Sequence, residues 1–229
     1  MIWVVLILLL VACAALPGLW VKRVLAKYSE PADRYLDKGS GAELARHLLD
    51  RFELAGIKVE ETAAGDHYDP EARAVRLSPD NFSGHSLTAV TVAAHEVGHA
   101  IQHARGELLF RSRQRLVRAA IKGERIGSIL LIGAPVVMLL TRMPQAGFLM
   151  LIVAVGSMAL GTLVHLVTLP VELDASYNKA LPMLEDDGYL YDGDRPHARR
   201  ILKAAALTYV AGSLASLLNL GRWLMVLRR

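Results

Sequence analysis

The residues of this chain whose types and spacing suit chemistry lie in one short motif, His95-Glu96-Val97-Gly98-His99. Histidines four residues apart lie on one face of a helix, so both imidazoles can reach a single Zn²⁺ ion. Glu96 projects beside them, where it can take the proton of a zinc-bound water whose pKa the metal has lowered. The motif therefore predicts zinc as cofactor, His95 and His99 as ligands, and Glu96 as the general base of peptide hydrolysis.

A third protein ligand must come from elsewhere, because a catalytic zinc usually has three protein ligands and a water. His103 does not qualify, since a row of residues at i, i+4 and i+8 extends roughly 12 Å along a helix. Glu172, which follows a long apolar segment, is the predicted third ligand, and Asp174 is either the alternative ligand or a residue that supports the site. Tyr209 and His197 are candidate hydrogen-bond donors to the oxyanion of a tetrahedral intermediate.

Helical periodicity predicts the element that carries the motif. Residues 86–105 place apolar side chains at helical spacing, and either Ser83 or Ser86 can cap the N-terminus. A second amphipathic helix is predicted over residues 41–54, with Ser40 as its N-cap. The motif is therefore predicted to lie on the second of two helices in a small folded region.

Two short alternating segments, residues 57–60 and 74–77, predict strands of a small hairpin or sheet. The residues between them, 65–70, have the composition of a turn. His67-Tyr68-Asp69 could shape a hairpin that offers an edge strand to an extended peptide. Turn formation at Asp69-Pro70 is the simpler interpretation.

Composition limits the class of protein. Of 229 residues, 53% are hydrophobic and 21% are charged, and the mean hydropathy is +0.33, which excludes a protein that is soluble throughout. The net charge of +4 is too small to indicate a polyanion, and we expect no nucleic-acid partner. The single cysteine excludes an intrachain disulfide and a cysteine-rich metal site, so histidine and carboxylate must hold any metal.

The first apolar segment, residues 2–20, contains no charge and spans roughly 28 Å as a helix, close to the thickness of the bilayer hydrocarbon. It predicts an N-terminal transmembrane helix. The basic residues Lys22, Arg23 and Lys27 follow it, so the positive-inside rule places the next segment in the cytoplasm. A cleaved signal that lipidates Cys13 is the alternative.

Two further apolar segments, 126–140 and 148–169, flank turn-like residues 141–147 and predict a transmembrane helical hairpin. The segment 204–220 is more polar and is followed by arginines, which favours a helix packed on the protein or at the interface, although a fourth span is possible. A basic cluster before the hairpin predicts an anchor to anionic headgroups: Arg111, Arg113, Arg115, Arg118, Lys122 and Arg125.

Five blocks of sequence in this order resemble the neutral zinc metallopeptidases of bacterial membranes, a gluzincin-like family: 66–70, 75–78, 93–102, 166–172 and 204–210. The resemblance covers nearly the whole chain and is more distant to the heat-shock and prenyl-protein membrane metalloproteases. It implies a membrane zinc peptidase with His95, His99 and a downstream acid as ligands. The distant relatives place an aspartate four residues after the ligand glutamate, where this chain has Ser176.

The expected fold is a mainly α integral membrane protein, with transmembrane helices and a small α+β zincin-like metallopeptidase region. The predicted order is an N-terminal transmembrane helix at 1–21, a cytoplasmic zincin-like region at 22–125, a transmembrane hairpin at 126–169, and a third-ligand segment with a C-terminal hydrophobic helix at 170–229.

The predicted function is that of a zinc-dependent endopeptidase in the bacterial inner membrane, multi-pass, with its active site facing the cytoplasm. Its expected partners are the lipid bilayer and protein or peptide substrates, either membrane-proximal or unfolded. A zinc-stabilised scaffold without catalysis is the alternative. A transporter that uses His165 and Glu172 is a third hypothesis, which the small number of spans disfavours.

Overall fold

The computed structural model describes residues 2–186, 188–208 and 211. The chain forms two compact units. The motif unit comprises Leu16–Arg111 and Leu169–Thr208, and the hairpin unit is built around Ser112–Thr168. Most described residues are helical, and one small sheet lies in the motif unit. The mainly α fold with a small α+β region is therefore as predicted.

The first two helices of the chain are α1 (Ile2–Tyr28) and α2 (Gly41–Arg51). Ser40 caps α2 as predicted: its Oγ accepts a hydrogen bond from the Glu43 backbone N–H, and the Glu43 carboxylate accepts one from the Ser40 N–H. The predicted end at residue 54 is wrong, because Glu53 adopts a left-handed backbone with φ 59° that a helix cannot continue through.

The sheet has three strands, β1 (Lys58–Glu61), β2 (His67–Asp69) and β3 (Ala74–Leu77), in the order β1-β3-β2. β1 is parallel to β3, and β2 is antiparallel to it. The prediction of a turn over residues 65–70 is therefore wrong in part, since half of that segment, His67–Asp69, is an edge strand. The turn itself follows β2, where Oδ1 of Asp69 accepts hydrogen bonds from the backbone N–H groups of Glu71 and Ala72.

A short helix, α3 (Pro79–Phe82), precedes the helix that carries the motif, α4 (Leu87–Ala104). Ser86 caps α4, with its Oγ accepting from the Ala89 N–H at 3.1 Å. Every residue of α4 from 87 to 102 is buried, because α2, the sheet and the chain after residue 173 all pack around it. The motif therefore lies on a central helix of its unit.

The hairpin unit contains most of two long helices, α5 (Leu108–Thr141) and α6 (Pro144–Leu173). They pack antiparallel, since a Cβ at Gly147 would meet Met138 and one at Gly133 would lie 3.4 Å from Met150. The connection is shorter than predicted, because α5 ends at Thr141, just before Arg142 with its φ of 56°, and α6 begins at Pro144. Among the described residues, one helix, Leu108–Thr141, is long and apolar enough to cross a membrane. The multi-span topology stays a prediction.

After α6 the chain continues as a π-helix (Asp174–Ala180), α7 (Leu181–Asp186) and α8 (residues 195–208). The loop before α8 is fastened by Asp194, which accepts hydrogen bonds from the Arg34 guanidinium at 2.6 and 2.7 Å and from Tyr35 Oη at 2.7 Å. Burial opposes ionisation of Asp194, but these hydrogen bonds and the Arg34 charge outweigh it, so the net effect is a lowered pKa. The greater part of the predicted segment 204–220 lies outside the described residues.

Candidate metal centre

Three side chains predicted as metal ligands converge in the motif unit. Nε2 of His95 lies 3.3 Å from Oε2 of Glu172, and Nε2 of His99 lies 3.1 Å from the same oxygen. One potential ligand atom from each residue lies within 4.8 Å of the other two. The helix α4 supplies both histidines one turn apart, and the last turn of α6 supplies the glutamate. The three residues could therefore hold one metal ion.

The converging side chains are almost completely shielded from solvent. The exposed fraction is 3% for His95, 4% for His99 and 0% for Glu172. Glu172 is therefore not a solvated helix end, because its carboxylate is enclosed. Burying an ionised carboxylate against two imidazoles is costly unless a positive charge compensates it.

The donor set suits zinc. Two imidazole nitrogens and one glutamate oxygen are a combination found at catalytic zinc sites, which leave a further position for water or substrate. Histidine and carboxylate are also the only strong metal ligands that the described residues bring together here. The residues present therefore fit the metal that the motif predicts.

The outer nitrogen of each imidazole has its own polar partner. Nδ1 of His95 lies 3.0 Å from Oγ of Ser176, and Nδ1 of His99 lies 2.9 Å from Oε1 of Gln102. The Gln102 amide also donates to the backbone oxygen of Val171 at 2.9 Å. Neither contact was predicted from the sequence. Ser176 was distinguished only because the distant relatives have aspartate at that position, and Gln102 had no predicted role.

Gly98 lets the two ligand-bearing segments approach. A Cβ at this position would lie 2.8 Å from the backbone oxygen of Ala175 and 3.3 Å from its Cα. The absence of a side chain therefore allows α4 to touch the π-helix backbone directly. Because Glu172 and Ser176 lie within three residues of Ala175, this contact affects how closely they approach the two histidines.

Asp174, the alternative third ligand, has a different set of partners. Its carboxylate contacts Lys179, accepts from Gln102 Nε2 at 2.7 Å and accepts from Asn178 Nδ2 at 2.8 Å. Burial would raise the pKa of Asp174, but the hydrogen bonds from Lys179, Gln102 and Asn178 outweigh burial and lower it to about 2. The structure brings Glu172, rather than Asp174, to the imidazoles.

Aromatic residues border the site next to His99. The ring centroid of Phe110 lies 6.1 Å from that of His99 and 5.6 Å from that of His103. Nδ1 of His103 lies 2.8 Å from Oη of Tyr68, on the edge strand β2. Burial lowers the pKa of His103 and raises that of Tyr68 to about 12. His103 therefore bridges the motif helix and the sheet, and Phe110 is a neighbour that the sequence did not indicate.

Glu96, His197 and Tyr209 are the remaining predicted site residues. Glu96 is 7% exposed on α4, between the two histidines in sequence. His197 has a half-exposed side chain, its ring lies 5.0 Å from that of Tyr28, and its Nδ1 lies 3.8 Å from Asp194. These contacts do not bring His197 to the metal ligands, so the structure gives no support to its role as an oxyanion donor. Tyr209 lies outside the described residues.

Comparison with known proteins points to zinc as well. A profile of the family described as "Putative neutral zinc metallopeptidase" matches residues 1–228. The chain is 34% identical over 189 residues to the "Putative membrane protease YugP" of Bacillus subtilis, covering 82% of this chain and 80% of the relative. No solved structure gives a significant match. The chain therefore belongs to the family described as putative neutral zinc metallopeptidases.

Proposed function

We propose that this protein is a membrane-associated, zinc-dependent endopeptidase in which His95, His99 and Glu172 bind the metal and Glu96 is the general base. The observation that carries the proposal is the buried convergence of two histidines from an H-E-x-x-H helix with a glutamate 73 residues further along the chain. The family to which the chain belongs supports zinc and peptide hydrolysis as the chemistry.

The metal ligands and Glu96 have different roles in the proposed hydrolysis. Zinc, when bound, acts as a Lewis acid that acidifies water and polarises a peptide carbonyl. Glu96 accepts the proton of the attacking water and then gives it to the amine that leaves as the peptide C–N bond breaks. Glu96 is the most exposed of the four motif and ligand residues, at 7%, which suits a group that must meet water and substrate.

A membrane location and membrane-proximal or unfolded substrates form the second part of the proposal. The helix Leu108–Thr141 has the length and composition of a membrane span, and a relative is named as a membrane protease. The basic residues that follow the first apolar segment favour a site on the cytoplasmic side. Substrates that reach such a site would be chain segments close to the inner surface of the bilayer.

The test uses the full chain purified in detergent, with zinc per chain and cleavage of a fluorescently labelled unfolded protein as readouts. We expect about one zinc in the unchanged protein, and Glu172→Ala to lose most of it. Glu96→Gln should keep zinc and lose turnover by about 10²–10⁴-fold, the usual contribution of a general base. Glu61→Gln, an exposed carboxylate at the end of β1, is the matched control and should change neither.

Two outcomes would contradict the proposal. Absence of zinc from the unchanged protein would remove the metal site. A Glu96→Gln protein that keeps zinc and full biological activity would favour the scaffold without catalysis, because a purely structural site has no need of a general base.

A further inference from the structure

We propose that Ser176 and Gln102 are positioning residues that hold His95 and His99 in the tautomer and orientation that metal binding requires. The inference rests on the proposed metal site and names residues that contact the ligands and not the metal. The hydrogen-bond donors and acceptors around the two imidazoles determine which ring nitrogen carries the proton.

Ser176 determines the state of His95. A serine hydroxyl has one proton to donate, and Oγ of Ser176 donates it to the backbone oxygen of Leu202 at 3.1 Å. The same Oγ lies 3.0 Å from Nδ1 of His95, so it accepts the proton of that nitrogen. His95 is therefore protonated at Nδ1, which leaves the lone pair of Nε2 directed toward Glu172 and the metal position.

Gln102 acts on His99 in the same way. Its amide nitrogen donates to the backbone oxygen of Val171 at 2.9 Å and to Asp174 at 2.7 Å, and these two acceptors fix which end of the amide is oxygen. The amide oxygen, which can only accept, lies 2.9 Å from Nδ1 of His99. His99 therefore also has its proton on Nδ1 and its lone pair on Nε2.

A partly buried group of charged side chains holds Gln102 in turn. Asp174, which accepts from Gln102, contacts the ammonium group of Lys179, and that group lies 3.0 Å from Oε1 of Glu107. Gln102 and Ser176 are themselves fully buried, so bulk water does not compete for their hydrogen bonds. The two positioning residues thus connect the ligands on α4 to the π-helix that follows Glu172.

The expected size of the effect comes from comparable sites. Hydrogen-bond partners of metal-binding histidines typically change metal affinity by about 10–100-fold when they are removed. Both partners here are neutral, so their contribution is orientation and choice of tautomer rather than charge. Removal should therefore alter the geometry of the bound metal as well as its affinity.

The experiment measures the zinc Kd of the full chain in detergent by competition with a chromophoric chelator, together with the visible spectrum of the Co²⁺-substituted protein. We expect Ser176→Ala and Gln102→Leu each to weaken zinc about 10–100-fold and to shift the Co²⁺ bands. Ser176→Thr keeps the hydroxyl and should restore both values. Imidazole ¹⁵N shifts of the zinc-loaded unchanged protein should show Nδ1 protonated in His95 and His99.

The matched control is Ser86→Ala, since Ser86 is also a buried serine but caps the N-terminus of the motif helix, where its Oγ accepts from the Ala89 N–H. It should lower the melting temperature and leave the zinc Kd unchanged. Unchanged Kd and Co²⁺ spectra in both Ser176→Ala and Gln102→Leu, or equal loss in Ser86→Ala, would overturn this inference and leave the proposed function standing. If Ser176→Ala does not fold, the zinc Kd and the Co²⁺ spectra of Gln102→Leu and Ser176→Thr provide the test. No zinc in the unchanged protein would overturn both.

Discussion

Gly98→Ala is the substitution that most directly tests how the metal centre is assembled. The added Cβ would lie 2.8 Å from the backbone oxygen of Ala175, about 0.6 Å short of the 3.4 Å at which ordinary contact begins. The obstructing atoms are all backbone atoms of Ala175, so no side chain can rotate away. α4 and the π-helix must therefore separate by several tenths of an ångström.

This displacement acts on stability and on metal binding differently. Overpacking a well-packed core usually costs about 1–3 kcal/mol, which for a protein of this size lowers the Tm by roughly 2–12 °C. Metal–ligand distances tolerate only about 0.2 Å of error, so the same shift should reduce zinc affinity more than it reduces stability. Glu172 on one segment and the two histidines on the other would then be too far apart to bind one ion.

The assay is thermal unfolding in detergent with and without added zinc, combined with zinc per chain. We expect Gly98→Ala to lower the Tm and to lose most of the stabilisation that zinc gives the unchanged protein. Gly56→Ala is the control, because no atom lies within 4 Å of a Cβ at that position. A Gly98→Ala protein with unchanged Tm and one zinc per chain would refute the close approach of the two segments.

Three further predictions concern the motif unit. Removing zinc with a chelator should lower the Tm, and returning zinc at a hundredfold excess over its Kd should restore about 2.7 kcal/mol. Lys179→Met deprives Asp174 and Glu107 of their shared cation, and thermal unfolding should show a loss smaller than the roughly 3–5 kcal/mol of a fully buried pair, since both acids are partly exposed. Asp194, whose pKa is lowered on folding, stabilises the fold above its unfolded pKa of about 3.9 and loses this effect as pH falls through the folded value. The Tm of Asp194→Asn should therefore be below that of the unchanged protein at neutral pH, and the difference should shrink in acid.

The sequence was most informative where structure is decided locally. The spacing of His95 and His99 fixes their common helix face, and Ser40 and Ser86 cap their helices through bonds to residues three positions away. The strands near 57–60 and 74–77 were also predictable, because their side chains alternate. These features depend on neighbouring residues and not on how distant segments pack.

Features that depend on packing were not predictable in the same way. β2 is only three residues long and lies among turn-forming residues, so its pairing with β3 decides its conformation. The choice between Glu172 and Asp174 depends on how the end of α6 and the π-helix meet α4, across more than 70 residues of sequence. Gln102 is an ordinary helix residue in sequence, and only its contacts with His99 and Val171 give it a role.

Because α4 is buried, binding of the metal should affect folding as well as catalysis. A helix enclosed on all sides would normally carry apolar residues, yet this one carries His95, His99 and Gln102. The outer nitrogens of the imidazoles and the Gln102 amide find partners within the protein. With both Nδ1 atoms protonated, the Nε2 lone pairs face the Glu172 carboxylate, an arrangement of acceptors that a cation stabilises. Zinc bound there would therefore contribute to the folding free energy of the motif unit, so loss of zinc and loss of packing around α4 should be coupled.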